Sequence, residues 1–161
     1  MKLIFIAALA ANRVIGNDGA VPWDLPEDVQ RFKRLTTGHA LLMGRKTYDA
    51  LGKPLPDRRN VVLTSQTIPG IETYPTLADA LNALENEGDV YVIGGGEIFA
   101  QLLDSADELR LTLVEQYLDG DAYFPPYEHL VGSVFKLVSK EQRNGFSFAD
   151  YVRIVPAEKR S

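Results

Sequence analysis

Apolar residues follow two rhythms along this chain, and the rhythm changes at glycines and prolines. Residues 2–11 form an almost unbroken apolar run, the pattern of a parallel strand covered on both faces. Shorter runs predict strands at residues 40–43, 60–65, 89–93 and 108–117, and a short edge strand at 71–74. Between them the spacing lengthens to a helical one. Helices are expected from Pro26 to the Thr37-Gly38 stop, from Gly44-Arg45-Lys46-Thr47 to Leu51, and from Gly94-Gly95-Gly96 to Asp104. Another starts at Thr76, which with Asp79 resembles a capping box; its inner stripe is Leu77, Ala80, Leu81 and Leu84, and Gly88 stops it. Residues 12–21 and 118–126 read as loops, and 53–59 as a stiff proline turn with three basic residues. The last two strands, 133–141 and 146–155, meet around Asn144-Gly145, a hairpin signal. The alternation predicts one α/β domain over residues 1–161: a mainly parallel central sheet, flanking helices, and an antiparallel C-terminal hairpin at the edge.

The helix that opens at Pro26 carries an anomaly. Proline suits a first helical position, where its fixed φ fits and its missing N–H had no partner. Counting from it, Asp28, Phe32 and Leu35 share a face, with Val29 beside them, while Glu27, Gln30, Arg31, Lys33 and Arg34 take the other. Acids in a first turn usually serve the helix dipole or a cap, each worth about 0.3–1 kcal/mol. Glu27 can fill that role from the solvent side. Asp28 instead turns inward with Trp23, Leu25 and Phe32, where a carboxyl must be hydrogen-bonded, paired or neutral. The two readings compete, and the second marks a pocket for a polar, cationic or protonatable ligand.

Composition narrows the classes. With 161 residues, 45% of them hydrophobic and 24% charged, the chain can bury a sizeable core. A net charge of −5 argues against a general nucleic-acid or membrane-surface binder, so an anionic ligand would need a local basic cluster. There is no cysteine, hence no disulfide framework, thiolate metal site or thiol nucleophile. The N-terminal apolar run falls far short of the ~20 residues of a membrane span. It flows into Asn12-Arg13-Val14 without a mature start, and so reads as the first strand of a cytoplasmic protein rather than as a signal peptide. His39 and His129 lack ligand spacing and read as surface or packing residues; no metal site is expected.

Two strand-to-helix junctions carry glycine, at Gly44 and at Gly94 to Gly96. Helix starts present free N–H groups and a positive dipole end, and glycine lets a phosphate come close. Neither junction matches the usual dinucleotide or mononucleotide fingerprints, and one alone would be an ordinary tight turn. Two in a small α/β domain point to a dinucleotide lying across both. Arg45, Lys46 and Thr64-Ser65-Gln66 belong to the same C-terminal sheet edge, and basic and hydroxyl groups suit a 2′-phosphate, so NADP is favoured over NAD. Arg58, held between Pro56 and a strand, could clamp a carboxylate with its planar fork. The glycine-punctuated stretch before Pro26 reads equally well as a mobile lid or a plain surface connection.

Taken together, IAALAANRVIG, VPWDLPEDVQRFK, LLMGRKTYDALGKPLPDRRNVVLTSQ, VIGGGEIF and LTLVEQYLDGDAYFP, in this order and spacing, resemble the dihydrofolate reductase family over nearly the whole chain. The resemblance implies NADPH-dependent reduction of 7,8-dihydrofolate, with hydride added at C6 and a proton at N5. It implies that Asp28 and Trp23 are catalytic, Asp28 bonding the pterin edge and Trp23 placing a water. Ile6, Ala8, Phe32, Leu51, Leu55, Ile93 and Thr112 would join Asp28 in the substrate pocket, and Arg58 would take the glutamate α-carboxylate. Cofactor contacts would come from Ala8, Ile15, Gly16, Val21, Gly44, Arg45, Lys46, Thr47, Thr64, Ser65, Gln66, Ile93, Gly95, Gly96, Glu97, Ile98, Phe99 and Gln101, with a cis Gly94–Gly95 peptide. The stretch from Asn17 to Val21 would be a lid supported from Asp121. Antifolate-type inhibitors would be further ligands, nucleic acid and membranes would not be partners, and the protein would be a cytoplasmic monomer.

This sequence departs from the family's pattern at Tyr48, where many relatives have tryptophan, at Phe99 for tyrosine, and at Lys46 for a histidine found in some. Glu97 adds an acid beside the proposed pyrophosphate site. Two other readings stand beside this one: a reductase of the same fold acting on a ribosylated pyrimidine, and a non-catalytic NADP- or folate-binding module.

Overall fold

Why the apolar runs are apolar on both sides is plain once they are paired. The computed structural model describes residues 1–17, 21 and 23–157. In chain order the elements are β1 (Lys2–Ala10), β2 (Val14–Gly16), α1 (Pro26–Thr36), β3 (Ala40–Gly44), α2 (Arg45–Leu51), β4 (Arg59–Leu63), β5 (Glu72–Tyr74) and α3 (Leu77–Ala83). There follow β6 (Asp89–Gly94), α4 (Gly96–Leu102), β7 (Glu108–Val114), β8 (Ala122–Tyr123), β9 (Phe135–Gln142) and β10 (Phe146–Arg153), with single 3₁₀ turns at Leu103–Ser105 and Glu128–Leu130. Eight strands make one sheet in the order β5-β4-β3-β6-β1-β7-β10-β9. The first six of that row run parallel to one another. β10 then returns antiparallel beside β7, and β9 antiparallel beside β10, around Gly145. The expected parallel sheet with an antiparallel hairpin edge is the observed one.

Period-two alternation assigns the two faces. Leu3, Phe5 and Leu9 of β1, with Leu42, Val90 and Val92, pack against Ala80, Leu81 and Leu84 around α3 and Ile98, Phe99 and Leu102 of α4. Ile4 and Ile6, with Leu41, Met43, Val62 and Tyr91, face Phe32 and Leu35 of α1 and Tyr48 of α2. The first core is anchored by aromatic rings: Phe99 lies 5.0 Å from Phe5 and 5.0 Å from Phe124 between ring centres, and Phe124 is fully buried.

Four expectations need correction. The loops at residues 12–21 and 118–126 contain β2 and β8, which pair as a second, two-stranded sheet. Strands of two and three residues show no periodicity, and only long-range pairing reveals them. α3 ends at Ala83 with Leu84 as its cap, well before Gly88. On α1, Val29 is 64% exposed rather than inward, and Arg31 is only 8% exposed rather than outward. The buried stripe is Asp28, Arg31, Phe32, Leu35 and Thr36, a regular i, i+3, i+4, i+7, i+8 pattern whose polar members an apolar count passes over. Boundaries elsewhere move by a few residues, as strand ends do.

Truncating Phe124 removes a ring from the middle of a packed aromatic cluster. Phe124→Ala is expected to cost about 3–5 kcal/mol, and Phe124→Leu distinctly less, by urea unfolding with the two variants compared at equal m-value.

Candidate active site

Parallel strands deliver their C-terminal ends to one edge, and the polar groups singled out by sequence collect there. β3 ends in Gly44, β6 in the cis Gly94–Gly95 peptide, and β4 is followed by Thr64-Ser65-Gln66. The two glycine junctions touch: a Cβ on Gly44 would lie 3.8 Å from both the Gly94 carbonyl oxygen and the Gly95 nitrogen. Neither α2 nor α4 has a side-chain cap, so their first N–H groups face this shared crevice without an internal side-chain acceptor. Thr47 lines it too, its Oγ1 3.6 Å from where a Gly94 Cβ would be. Beside the crevice, Arg45 donates from Nη1 to Gln66 Oε1 (2.8 Å) and from Nε to Asp49 (2.9 Å). The glycines, uncapped N–H groups and adjacent cation suit a dinucleotide with an additional phosphate.

Phe99 and Ile98 stand apart from the exposed cofactor-site candidates. Phe99 is 1% exposed and its ring lies against Gly94, so it floors the crevice from the core side. Glu97, Gln101, Lys46, Ser65 and Gln66 are exposed. Ile15 and Gly16 lie on or beside the small β2–β8 sheet, and Val21 is exposed. The Asp121 N–H donates to the Gly16 carbonyl at 3.2 Å, tying the later loop to the start of the expected lid. Of that lid, Asp18, Gly19 and Ala20 lie outside the described residues.

On the α1 side of the sheet, Ala8 of β1, Thr112 of β7 and Phe148 of β10 form one cross-strand row. α1 sets Asp28 over it, and Thr112 Oγ1 donates to Asp28 Oδ1 at 2.5 Å. The carboxyl is largely withdrawn from water, and this desolvation pushes its pKa above the ordinary carboxylate range. The Thr112 hydroxyl, and then the Arg31 cation, pull the other way. Ile6, Phe32, Leu55, Ile93 and Tyr48 belong to the apolar cluster on this same face; Leu51, 37% exposed, does not. Trp23 is half-buried just ahead of the helix.

Arg58 sits near the other end of α1. Its turn is stiffened by Asn60, whose side chain accepts from the Leu55 N–H and donates to the Leu55 and Arg58 carbonyls, all at 2.9 Å. Arg58 Nη2 donates to Thr37 Oγ1 at 3.2 Å, and its buried Nε finds no acceptor. At 1.5 Å per residue, Asp28 and Thr37 are separated by about 14 Å of helix axis. A ligand lying along α1 with an acidic tail could meet both ends. Sequence reasoning missed Arg31, Phe148 and Asp150; Arg31 follows Asp28 by three residues on the same helical face, and that spacing was the available signal.

An open α/β sheet with a half-buried acid on one side and a phosphate-suited crevice at its C-terminal edge defines a nucleotide-cofactor enzyme. Residues 2–153 match the family model described as dihydrofolate reductase. The dihydrofolate reductase HdrB of Haloferax volcanii is 40% identical, across 98% of this chain and 86% of its own. The Bacillus subtilis dihydrofolate reductase is 40% identical, across 86% and 82%. Among solved structures, the Enterococcus faecalis dihydrofolate reductase complexed with NADP(H) and RAB-propyl superposes with a TM-score of 0.86 at 28% identity, across 96% and 97% of the two chains. The chain belongs to the dihydrofolate reductase family, oxidoreductases that use NADPH to reduce 7,8-dihydrofolate to tetrahydrofolate.

The raised Asp28 pKa has a thermodynamic consequence. Below the ordinary carboxylate pKa both folded and unfolded chains hold the proton, and Asp28 contributes nothing. As pH rises from there, the unfolded chain releases its proton first, so stability falls until the folded-state pKa is passed. Asp28→Asn is therefore expected to raise Tm at neutral pH and to lose that advantage in acid, as followed by thermal unfolding from pH 3 to 8.

Proposed function

We propose that this chain reduces 7,8-dihydrofolate to tetrahydrofolate, with Asp28 holding the pterin, Arg58 holding the glutamate tail, and residues around Gly44 and Gly95 holding NADPH. The observation that carries the reading is one carboxyl, withdrawn from water and fixed by Thr112, on the same helix whose far end adjoins Arg58. With Oδ1 engaged by Thr112, the second carboxyl oxygen is assigned to the amidine-like N–H edge of the pterin. Ile6, Phe32 and Leu55 supply apolar walls that exclude water and strengthen that contact. The terminal guanidinium nitrogens of Arg58, whose contact with Thr37 lies on the exposed side, are assigned to the glutamate α-carboxylate.

Gly44, Arg45, Thr47, Ser65, Gln66 and Gly95 would hold the cofactor. NADPH, when bound, supplies the hydride that adds at C6. Asp28 polarises the pterin so that N5 gains basicity, and a water near Trp23 delivers the proton to N5. Burial raises the pKa of Asp28, so the acid holds its proton to higher pH than an exposed carboxyl does. The reading includes a single domain spanning residues 1–161, acting as a monomer in the cytoplasm. Among the described residues no helix is long and apolar enough to cross a membrane.

The direct test is loss of NADPH absorbance on adding dihydrofolate to pure protein; consumption only with a ribosylated pyrimidine, or binding without consumption, overturns the proposal. Asp28→Asn is expected to lower turnover about a hundredfold or more at neutral pH while NADPH affinity, read by fluorescence titration, stays unchanged. Arg58→Ala should raise the Kd for dihydrofolate about 10- to 150-fold, the worth of a charge-assisted hydrogen bond at about 1.5–3 kcal/mol. A pteridine lacking the glutamate tail should bind both forms alike.

A further inference from the structure

Beneath α1 runs a chain of alternating charges that the proposed chemistry does not use. Arg31 Nη2 lies 2.6 Å from Asp150 Oδ1 on β10. Asp150 Oδ2 lies 3.0 Å from Arg110 Nη1 on β7, and Arg110 Nη2 2.9 Å from Glu108 Oε1. Glu108 Oε2 ends the series at Lys2 Nζ, 3.0 Å away on β1. Arg31 is the member nearest the candidate site, one helical turn beyond Asp28. It is 8% exposed, and its guanidinium carbon stands 4.5 Å over the centre of the Phe148 ring. Phe148 is the cross-strand neighbour of Thr112, and Asp150 that of Arg110, so both contacts of Arg31 fall on the row that receives Asp28 and the row next to it.

We infer that Arg31 is a positioning residue for the proposed reaction: pinned by Asp150 and Phe148, it fixes the rotation of α1 so that Asp28 meets Thr112, and holds a cation beside that carboxyl. An arginine on an amphipathic surface helix would normally reach into water. Here its fork is immobilised by a carboxylate and an aromatic face, which removes the freedom to move away when Asp28 changes charge. The groups around Asp28 are few. Its own helix offers Arg31, and also Glu27, which is tied to Arg143 of the β9–β10 turn at 2.8 Å. β7 offers Thr112 and, one step further along the strand, Arg110; β10 offers Asp150, which reaches Asp28 only through Arg31.

The inference rests on the catalytic reading of Asp28, but its test does not need catalysis. The carboxyl of Asp28, labelled with ¹³C and assigned with Asp28→Asn, is titrated by NMR in the ligand-free protein. Arg31→Met is expected to move the titration to higher pH, and Asp150→Asn to move it the same way, because release of the fork lets the cation drift. The double variant should add no further displacement. The isosteric Asp150→Asn supplies the reading on its own where Arg31→Met does not fold. An unchanged Asp28 titration in both variants overturns the proposal, since a merely structural pair would lower stability without moving it. A shift to lower pH in Asp150→Asn also overturns it, because Asp150 would then be screening the cation rather than holding it. The pH profile of kcat/KM for dihydrofolate should move with the NMR titration. Were the NMR shift present and turnover absent in the wild type, the catalytic reading alone would fall.

Discussion

A carboxyl kept mostly out of water, at the start of a helix laid on the sheet, is the constraint around which this molecule is arranged. Left alone, such a group would take up a proton or swing to the surface. Three features oppose that outcome: the hydroxyl of Thr112, the cation of Arg31, and the positive end of α1, whose first turn contains Asp28. Desolvation still exceeds them, so the pKa is raised. The acid therefore keeps its proton to higher pH than an exposed carboxyl, which suits a group that must respond to a ligand that itself takes up a proton.

A second constraint is steric. Two helix starts have to approach one another closely enough to share one crevice, and side chains would keep them apart. The β2–β8 sheet presses on the same place: a Cβ on Gly96 would stand 2.5 Å from the Tyr123 carbonyl oxygen, and one on Gly120 would run into Val14 and the Gly16 carbonyl. β8 is therefore packed backbone to backbone against the first turn of α4, and Gly120 just before it against the base of the expected lid. This close packing ties the segment that precedes Asp18 to the crevice through contacts that only glycine permits.

How much of this was legible in the sequence follows from the range of each signal. Parallel strands covered on both faces announce themselves as apolar runs, and five such runs specify the sheet's interior. Glycines at strand ends and the Asn144-Gly145 turn act over a few residues, and they too could be read. β2 and β8 could not be, because among the described residues each pairs with the other, across more than a hundred residues. The inward turn of Asp28 was readable because its neighbours on the helix face are apolar. Arg31 was misassigned for the converse reason: polarity was taken as a proxy for exposure, although its position three residues after Asp28 put it on the buried face. Arg58 was picked out by the stiffness of its turn, and the turn's lock, Asn60, needed coordinates.

The misassigned arginine also says something about why α1 docks as it does. Its buried stripe contains Asp28, Arg31 and Thr36 alongside Phe32 and Leu35, so hydrophobic contact covers only part of the seam. A buried ion pair is a poor source of stability, since desolvating two charges costs several kcal/mol that their attraction returns only with good geometry. An aliphatic residue opposite an apolar partner would hold the helix at least as firmly. What an aliphatic pair lacks is direction. Leu and Val tolerate sliding and small rotations of a helix, whereas the Arg31 fork meeting Asp150 above Phe148 is satisfied in a narrow range of orientations. Asp28 sits one turn away on the same rigid rod, and a rotation of a few tens of degrees would take its carboxyl off Thr112. The ion pair is therefore better understood as setting orientation than as adding stability, and the group that gains from the orientation is the acid.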